Sequence, residues 1–322
     1  MRKLLRENRH LFFFLVVANL LQVFGHNVWR AMFNNFAVER IGVGPDAIGW
    51  VQSIRELPGL LAFAVAFLAL LFNEKRIMAV SLVVLGLGII FTGQATTFPV
   101  LLVSTLVMSL GFHFFNPGNS GLILMSVDHH EAPRTIGQLR SLGAIAAVLA
   151  TGIVYFFAER VGYEDMFTAV GIVVAAGGVI LFAFGRGAHG NLPTHRKVRL
   201  RKRYWLFYTL TFLMGSRRHI FTTFAPFLLV LAYDVDVKTM SLLLLLNGLL
   251  NVYVFQKVGK LVSRFGERAV LSVAFGALIP VFLGYAYIGI LPLLYALFVI
   301  DNVLFGFNLA MPTYLQKIAV SP

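Results

Sequence analysis

The sequence predicts an all-α protein that crosses a lipid bilayer about ten times. Of its 322 residues, 58% are hydrophobic and only 13% are charged, and the mean hydropathy is +0.81. Soluble domains carry roughly 45–50% apolar and about 25% charged residues, so this chain has too little polar surface for water. Its apolar stretches lack the alternation that is typical of barrel strands. We therefore predict a polytopic helical membrane protein.

The individual spans follow from the length of apolar chain that a bilayer requires, about 20 residues per helix. We predict spans at 14–38, 46–72, 75–95, 97–126, 135–159, 165–185, 204–233, 237–258, 268–289 and 291–316. The polar stretch 186–203 is rich in Lys and Arg and contains Gly and Pro, which predicts a solvated linker. The predicted organisation is a six-helix half (1–185), a basic cytoplasmic linker (186–203) and a second half with four helices (204–322).

Basic residues are distributed unevenly between the two sets of predicted loops. The formal net charge is +13, yet 19 of the 27 Lys and Arg fall on one side of the membrane and three on the other, namely Arg40, Arg160 and Lys238. Lys and Arg concentrate in cytoplasmic loops, so the N-terminus and the linker are predicted to be cytoplasmic, in an inner membrane. This distribution indicates a lipid bilayer as the partner, and no nucleic acid.

The residue inventory excludes several kinds of chemistry. The chain contains no cysteine, which rules out disulfides, thiol catalysis and thiolate metal sites. It also contains no Gly-rich phosphate-binding loop and no recognisable catalytic dyad. We predict no enzymatic activity, no cofactor and no metal.

The two halves contain similar segments at nearly one offset. Residues 31–36 match residues 219–224 at an offset of 188, and the same register pairs Arg30 with Arg218. Residues 115–116 match residues 307–308 at an offset of 192. Parallel repeats of six helices build the two halves of one class of membrane transporter around a central site.

Six spans, a basic linker and the start of a second set of six resemble the major facilitator superfamily. A more local match lies between spans eight and nine, where Gly259, Arg264, Gly266 and Arg268 fit the family's Gly-x-Leu-x-Asp-Arg-x-Gly-Arg loop, with Ser263 in place of Asp. The resemblance implies the major facilitator fold, a monomer, and secondary active transport by alternating access, in which this loop controls the conformational change. The motif glycines are expected to let helices approach closely.

The resemblance also implies a longer protein, because the family has twelve helices. The sequence ends at Pro322, just beyond span ten, so the second repeat is incomplete. We expect the chain to be a fragment that would not transport in isolation.

Charged residues inside the predicted spans are the first candidates for function. Away from the ends of the spans they are Arg30, Arg55, Arg140, Arg217 and Arg218, against two acids, Glu56 and Asp301. An ionised side chain at the bilayer centre costs at least about 2.5–3.5 kcal/mol, so the positive excess calls for a water-filled cavity or an anionic ligand. In the family that this chain resembles, spans one and seven line the central cavity, where Arg30 and Arg218 would bind a carboxylate or phosphate together. The alternative is that they pair with Glu56, Asp301 or helix-end carbonyls and hold the halves together.

Other polar side chains complete the candidate set. The candidate substrate ligands are Arg30, Arg218, Arg217, Asn34, His113, Asn116 and Asn308. The candidate proton carriers are Glu56, Asp301, His26 and His219. Any of the histidines and asparagines could instead form a structural hydrogen bond between helices.

The favoured function is a symporter or antiporter for a small organic anion, with proton coupling as an option. One alternative is a permease for drugs or for a neutral solute such as a sugar. Exporters of lipophilic cations usually need an intramembrane acid without cationic neighbours, which is the reverse of this pattern. The other alternative is a membrane sensor or scaffold on a transporter fold, which the glycine-free loop at 72–76 favours.

Overall fold

The computed structural model describes residues 8–61, 64–126, 132–184 and 202–307, and within these ranges all regular secondary structure is helical. The helices are α1 (Arg9–Ile41), α2 (Pro45–Leu60), α3 (Ala64–Leu71), α4 (Glu74–Gly93), α5 (Phe98–Ser126), α6 (Ala132–Val161), α7 (Tyr163–Phe184), α8 (Trp205–His219), α9 (Ala225–Tyr233), α10 (Val237–Tyr287) and α11 (Leu291–Gly306). In the described part, six segments are long and apolar enough to cross a membrane. The predicted all-α polytopic fold is confirmed.

The chain divides into two compact units, Met1–His195 and Arg196–Pro322. In the first unit α4 packs most extensively against α5 and α7. A Cβ at Gly88 would lie 2.2 Å from the backbone nitrogen of Met108, and one at Gly111 would lie 2.3 Å from that of Leu85. Only glycine permits such close backbone approach, so α4 and α5 are held by direct main-chain contact.

The seventh predicted span, 204–233, contains an irregular turn. A short 3₁₀ turn (Lys202–Tyr204) precedes α8, and a π-helical turn (Ile220–Phe224) separates α8 from α9. Pro226, at the start of α9, has no N–H to donate to the carbonyl four residues earlier, and its ring clashes with that carbonyl. A wider π turn is one way for a membrane helix to accommodate this defect.

Spans eight and nine are joined more tightly than predicted. Helix α10 continues past residue 258, and its one non-helical residue is Gly266, with φ 79° and ψ 161°. A Cβ at Gly266 would meet no atom of the described residues within 4 Å. Close helix packing at this glycine stays a prediction. The role of Gly266 is to adopt a backbone conformation that is essentially restricted to glycine.

The start of α10 is capped by Asp236. Its carboxylate accepts hydrogen bonds from the backbone nitrogen and the hydroxyl of Thr239, each at 2.8 Å. Partial burial raises the pKa of Asp236, but the hydrogen bonds from Thr239 outweigh this and leave the pKa below its usual value. A group with a lowered folded-state pKa stabilises the fold above about pH 4, and this contribution is lost as the pH falls through the folded pKa.

We predict that Gly266→Ala destabilises the protein, whereas Gly276→Ala in the same helix does not. Alanine at residue 266 would be forced into a strained conformation that costs about 1–3 kcal/mol. Gly276 is helical, and a Cβ there would meet nothing within 4 Å among the described residues. Thermal unfolding in detergent measures both variants. Equal unfolding temperatures for the two variants would contradict the role assigned to Gly266.

Candidate functional site

A buried ion pair lies in the second unit, between Arg217 at the end of α8 and Asp301 on α11. Nη2 of Arg217 donates to Oδ1 of Asp301, and their side chains are 9% and 0% exposed. The guanidinium of Arg217 also lies over the ring of Phe305, 5.6 Å from its centroid. Each of the two side chains stabilises the charge of the other, because burial of a single ion away from water costs several kcal/mol.

The ion pair leaves several polar atoms unused. Nε and Nη1 of Arg217 and Oδ2 of Asp301 are buried and have no hydrogen-bond partner among the described residues. The same holds for the hydroxyl of Tyr285, which interacts electrostatically with both charges. Guanidinium has five N–H donors, so Arg217 can bind a further acceptor without releasing Asp301.

Sequence reasoning listed Arg217 and Asp301 but did not pair them. It gave priority to Arg218, the repeat equivalent of Arg30, and it assigned Asp301 to proton transfer. The described contacts instead bring Asp301 to the neighbouring Arg217. The side chains of Arg218 and His219 lie outside what the structure describes, and so does all of Asn308.

A second charged group lies in the first unit, on α2 and α5. Arg55 and Glu56 contact each other at 2.9 Å, although adjacent helical residues point about 100° apart. Their side chains are long enough to bend together. Oε2 of Glu56 lies 3.7 Å from Nε2 of His113, and the hydroxyl of Ser109 donates to the carbonyl of Arg55. Side chains of this group are 12–31% exposed, so water screens the charges more than it does in the second unit.

Aromatic rings surround His26, one of the proposed proton carriers. Its ring stacks on Phe112 with a centroid distance of 4.1 Å, and Trp29 lies 6.1 Å away. Trp29 stacks on Phe33 at 4.3 Å and donates its Nε1 hydrogen to Thr92 at 3.2 Å. These contacts join α1 to α4 and α5, and Trp29 and Phe33 belong to the buried core of the first unit.

The other predicted ligands of the first unit lie in different settings. Arg30 is partly buried on α1 and Asn34 is buried, while Asn116 on α5 is exposed and donates to the carbonyl of Phe112. The neighbouring Asn35, which sequence reasoning did not select, donates to Glu39 at 3.1 Å. Glu39 also accepts from Tyr163 at 2.9 Å and so connects α1 to α7.

The loop motif is described only in part. Gly259 lies within the helical backbone of α10, while Arg264 and Arg268 are exposed on either side of Gly266. The guanidinium of Arg264 lies 5.1 Å from the ring centroid of Phe265. Within the described ranges, no group of three or more His, Cys, Asp or Glu residues could hold a metal ion.

An amide cluster joins α10 to α11 beside the ion pair. Nδ2 of Asn251 donates to Oδ1 of Asn302 at 3.2 Å, and Nδ2 of Asn302 donates to the carbonyl of Asn247 at 3.3 Å. All three belong to helices that the sequence predicts to cross the membrane. Their side-chain pairing could not be read from one sequence, because the residues lie 51 and 55 positions apart.

Long apolar helices with ion pairs and amides buried between them define a polytopic membrane protein of the transporter class. The chain belongs to the Major Facilitator Superfamily, because the family model matches residues 12–321. This membership makes it a member of a transporter family and not of an enzyme family. The recognition made from the linker, the repeat and the loop motif is thereby confirmed.

Solved transporter structures resemble this chain in fold. The nucleoside transporter NupG, as its D323A mutant, is 16% identical with a TM-score of 0.75, and the match covers 97% of this chain and 84% of NupG. A bacterial homolog of the human lysosomal transporter Spinster is 17% identical with a TM-score of 0.70, covering 98% and 77%. The xylose transporter XylE from E. coli is 13% identical with a TM-score of 0.63, covering 98% and 86%. Identities this low establish the fold alone.

One curated relative matches over a shorter stretch. The multidrug resistance protein MdtH of Blochmanniella pennsylvanica (strain BPEN) is 28% identical over 138 residues, which is 42% of this chain. The match spans 34% of the length of MdtH.

We predict that Asp301→Asn strongly destabilises the protein, because it leaves Arg217 buried without a counter-charge. Breaking a buried pair costs about 3–5 kcal/mol, whereas replacing both partners by apolar residues is often neutral or stabilising. The double variant Arg217→Met/Asp301→Leu should therefore recover stability. Thermal and denaturant unfolding in detergent compare the three proteins.

The matched control is Glu56→Gln, which breaks the partly exposed pair of the first unit. Screened pairs are worth only about 0–1 kcal/mol, so its unfolding should stay close to that of the wild type. Similar losses in Asp301→Asn and Glu56→Gln would show that burial does not distinguish the two pairs.

Proposed function

We propose that the full-length protein is a secondary active transporter that moves a small organic anion across the inner membrane by alternating access. Family membership supports transport as the activity. The anion is supported by charge: away from the ends of the predicted spans, five arginines lie against two acids. Both acids already contact an arginine, Glu56 with Arg55 and Asp301 with Arg217. An excess of three positive charges remains, and an anionic solute would offset it.

The proposed anion site uses Arg30 and Arg218 as a pair. A guanidinium can bind a carboxylate or phosphate through two parallel hydrogen bonds, which gives both affinity and orientation. The repeat register relates these two arginines, and that register carries this part of the proposal. The further ligands proposed are Arg217, Asn34, His113, Asn116 and Asn308.

The proposed arrangement in the membrane follows from loop charge. With 19 of the 27 Lys and Arg on one side, the N-terminus and the 186–203 linker face the cytoplasm. The two six-helix repeats would be residues 1–185 and the half that begins at residue 204. The protein acts as a monomer, and the segment with Gly259, Arg264, Gly266 and Arg268 controls switching between inward- and outward-open states.

A neutral polar solute is the second candidate. It is favoured by the fold similarity to a nucleoside transporter and to a xylose transporter. Counterflow in liposomes with labelled lactate, benzoate, glycerol phosphate, uridine and xylose separates the candidates. Exchange of the anions alone supports the first, and exchange of uridine or xylose alone supports the second.

We predict that Arg30→Gln and Arg218→Gln each reduce anion exchange about tenfold to a hundredfold, because each removes a charged hydrogen bond worth about 1.5–3 kcal/mol. Arg160→Gln is the control, since Arg160 is exposed at the end of α6. Size-exclusion profiles verify folding. Wild-type exchange rates in both test variants would rule out the arginine pair.

We predict that uptake is coupled to protons carried by Glu56, Asp301, His26 or His219. An inward proton gradient should then drive accumulation of the anion above its external concentration. Addition of a protonophore should reduce accumulation to equilibration while leaving counterflow intact. Accumulation that persists without the gradient would contradict proton coupling.

A further inference from the structure

We infer that Asn247 is a solute-binding residue that hydrogen-bonds to adjacent donor and acceptor atoms on the transported anion, such as those of an amide, ureide or imide group. This inference rests on the proposed function and narrows its substrate class. Asn247 lies on α10 in the second unit, next to the buried ion pair of α8 and α11.

The carboxamide of Asn247 is buried but not used. Its side chain is 4% exposed, and neither Nδ2 nor Oδ1 has a hydrogen-bond partner among the described residues. A carboxamide offers two donors and two acceptor lone pairs, and leaving them unpaired in a dry environment is costly. Native proteins almost always pair such groups, so an unpaired one indicates a ligand or an ordered water.

Neighbouring amides of the same cluster have a structural role that Asn247 lacks. The side chain of Asn302 uses both its polar atoms, accepting from Asn251 and donating to the backbone carbonyl of Asn247. These bonds hold α10 against α11 and fix the backbone of Asn247. The side chain of Asn247 is therefore positioned by its surroundings and takes no part in holding the helices together.

The amide cluster and the ion pair meet on α11. Asn302 directly follows Asp301, which pairs with Arg217, so the two groups lie within about one helical turn of about 5.4 Å along α11. Nε and Nη1 of Arg217 have no partner within the described ranges. A solute that carries both an anionic group and an imide edge could satisfy Arg217 and Asn247 together. The chemistry of this site thus points to a small anion with an amide-like edge.

A fully paired amide in the first unit provides the comparison. Asn19 and Asn119 donate to each other's side-chain oxygens at 3.0 and 2.9 Å and join α1 to α5. Replacement of such an amide removes an interhelical bond and lowers stability. Replacement of Asn247 by leucine, which has a similar shape, removes a buried polar group without breaking a side-chain bond.

The test uses three probes on the full-length protein: orotate, which has a carboxylate and an imide edge, benzoate, which has only the carboxylate, and uracil, which has only the imide edge. Binding is measured by ligand-dependent thermal stabilisation, and transport by counterflow. For the wild type, orotate is expected to bind more tightly than benzoate. In Asn247→Leu, orotate affinity should fall about tenfold or more, to that of benzoate. The unfolding temperature without ligand should stay equal or rise.

The control variant is Asn119→Leu. It should lower the unfolding temperature without ligand and keep the wild-type ratio of orotate to benzoate affinity. The inference is overturned if Asn247→Leu keeps that ratio. It is also overturned if neither orotate nor uracil binds the wild type at millimolar concentration, which is the result expected if Asn247 binds only an ordered water.

The outcomes separate this inference from the proposed function. If orotate and benzoate are exchanged equally and Asn247→Leu changes neither, the anion transporter stands and the role of Asn247 is wrong. If uracil binds as tightly as orotate and both are lost in Asn247→Leu, Asn247 binds the solute and the anionic substrate class is wrong.

Discussion

Lipid contains no water to hydrogen-bond with polar groups, and this constraint explains most of what the structure shows. Helices satisfy the backbone internally, so all regular secondary structure of the described residues is helical. Hydroxyls then turn back onto their own helix, as Thr92 does onto the carbonyl of Gly88 and Ser241 onto that of Val237. Charged groups find a counter-charge, as Arg217 does in Asp301. The polar atoms of Arg217, Asp301 and Asn247 that have no partner among the described residues are therefore exceptions that a ligand or an ordered water would satisfy.

The same constraint separates rigid regions from places where a helix is interrupted. Between α4 and α5, glycines bring the two backbones into direct contact, which favours tight packing of these helices. By contrast, the seventh span is interrupted by a π turn, and α10 is interrupted at Gly266. Interruptions of this kind expose carbonyls that neighbouring groups can use. Arg217 lies just before the π turn, so the buried ion pair is located where the seventh span is irregular.

The sequence predicts spans well because bilayer thickness acts locally on about 20 residues at a time. Predicted span 75–95, for example, is α4, Glu74–Gly93. Contacts between helices cannot be predicted in this way, because they join residues that are far apart in the sequence. Arg217 and Asp301 are 84 residues apart, and the repeat register favoured Arg218, one position away. A shift of one residue on a helix turns a side chain by about 100°, so the repeat register could not indicate that Arg217 is the residue that contacts Asp301. The backbone conformation of Gly266 is another feature that the motif alone did not predict.

A buried ion pair is weak evidence for stability, since apolar residues of similar volume often serve as well. In the function proposed above, the Arg217–Asp301 pair would serve binding. Arg217 has spare donors, and Asp301 is the acid that neutralises it. In the proposed transporter, a proton on Asp301 would release the full charge of Arg217 to an anion, and a bound anion would in turn favour that proton. Thermodynamic linkage requires that protonation of Asp301 strengthens anion binding by the same free energy by which the bound anion favours protonation of Asp301. One pair of side chains could thus couple the solute to the proton without contact between the two ligands.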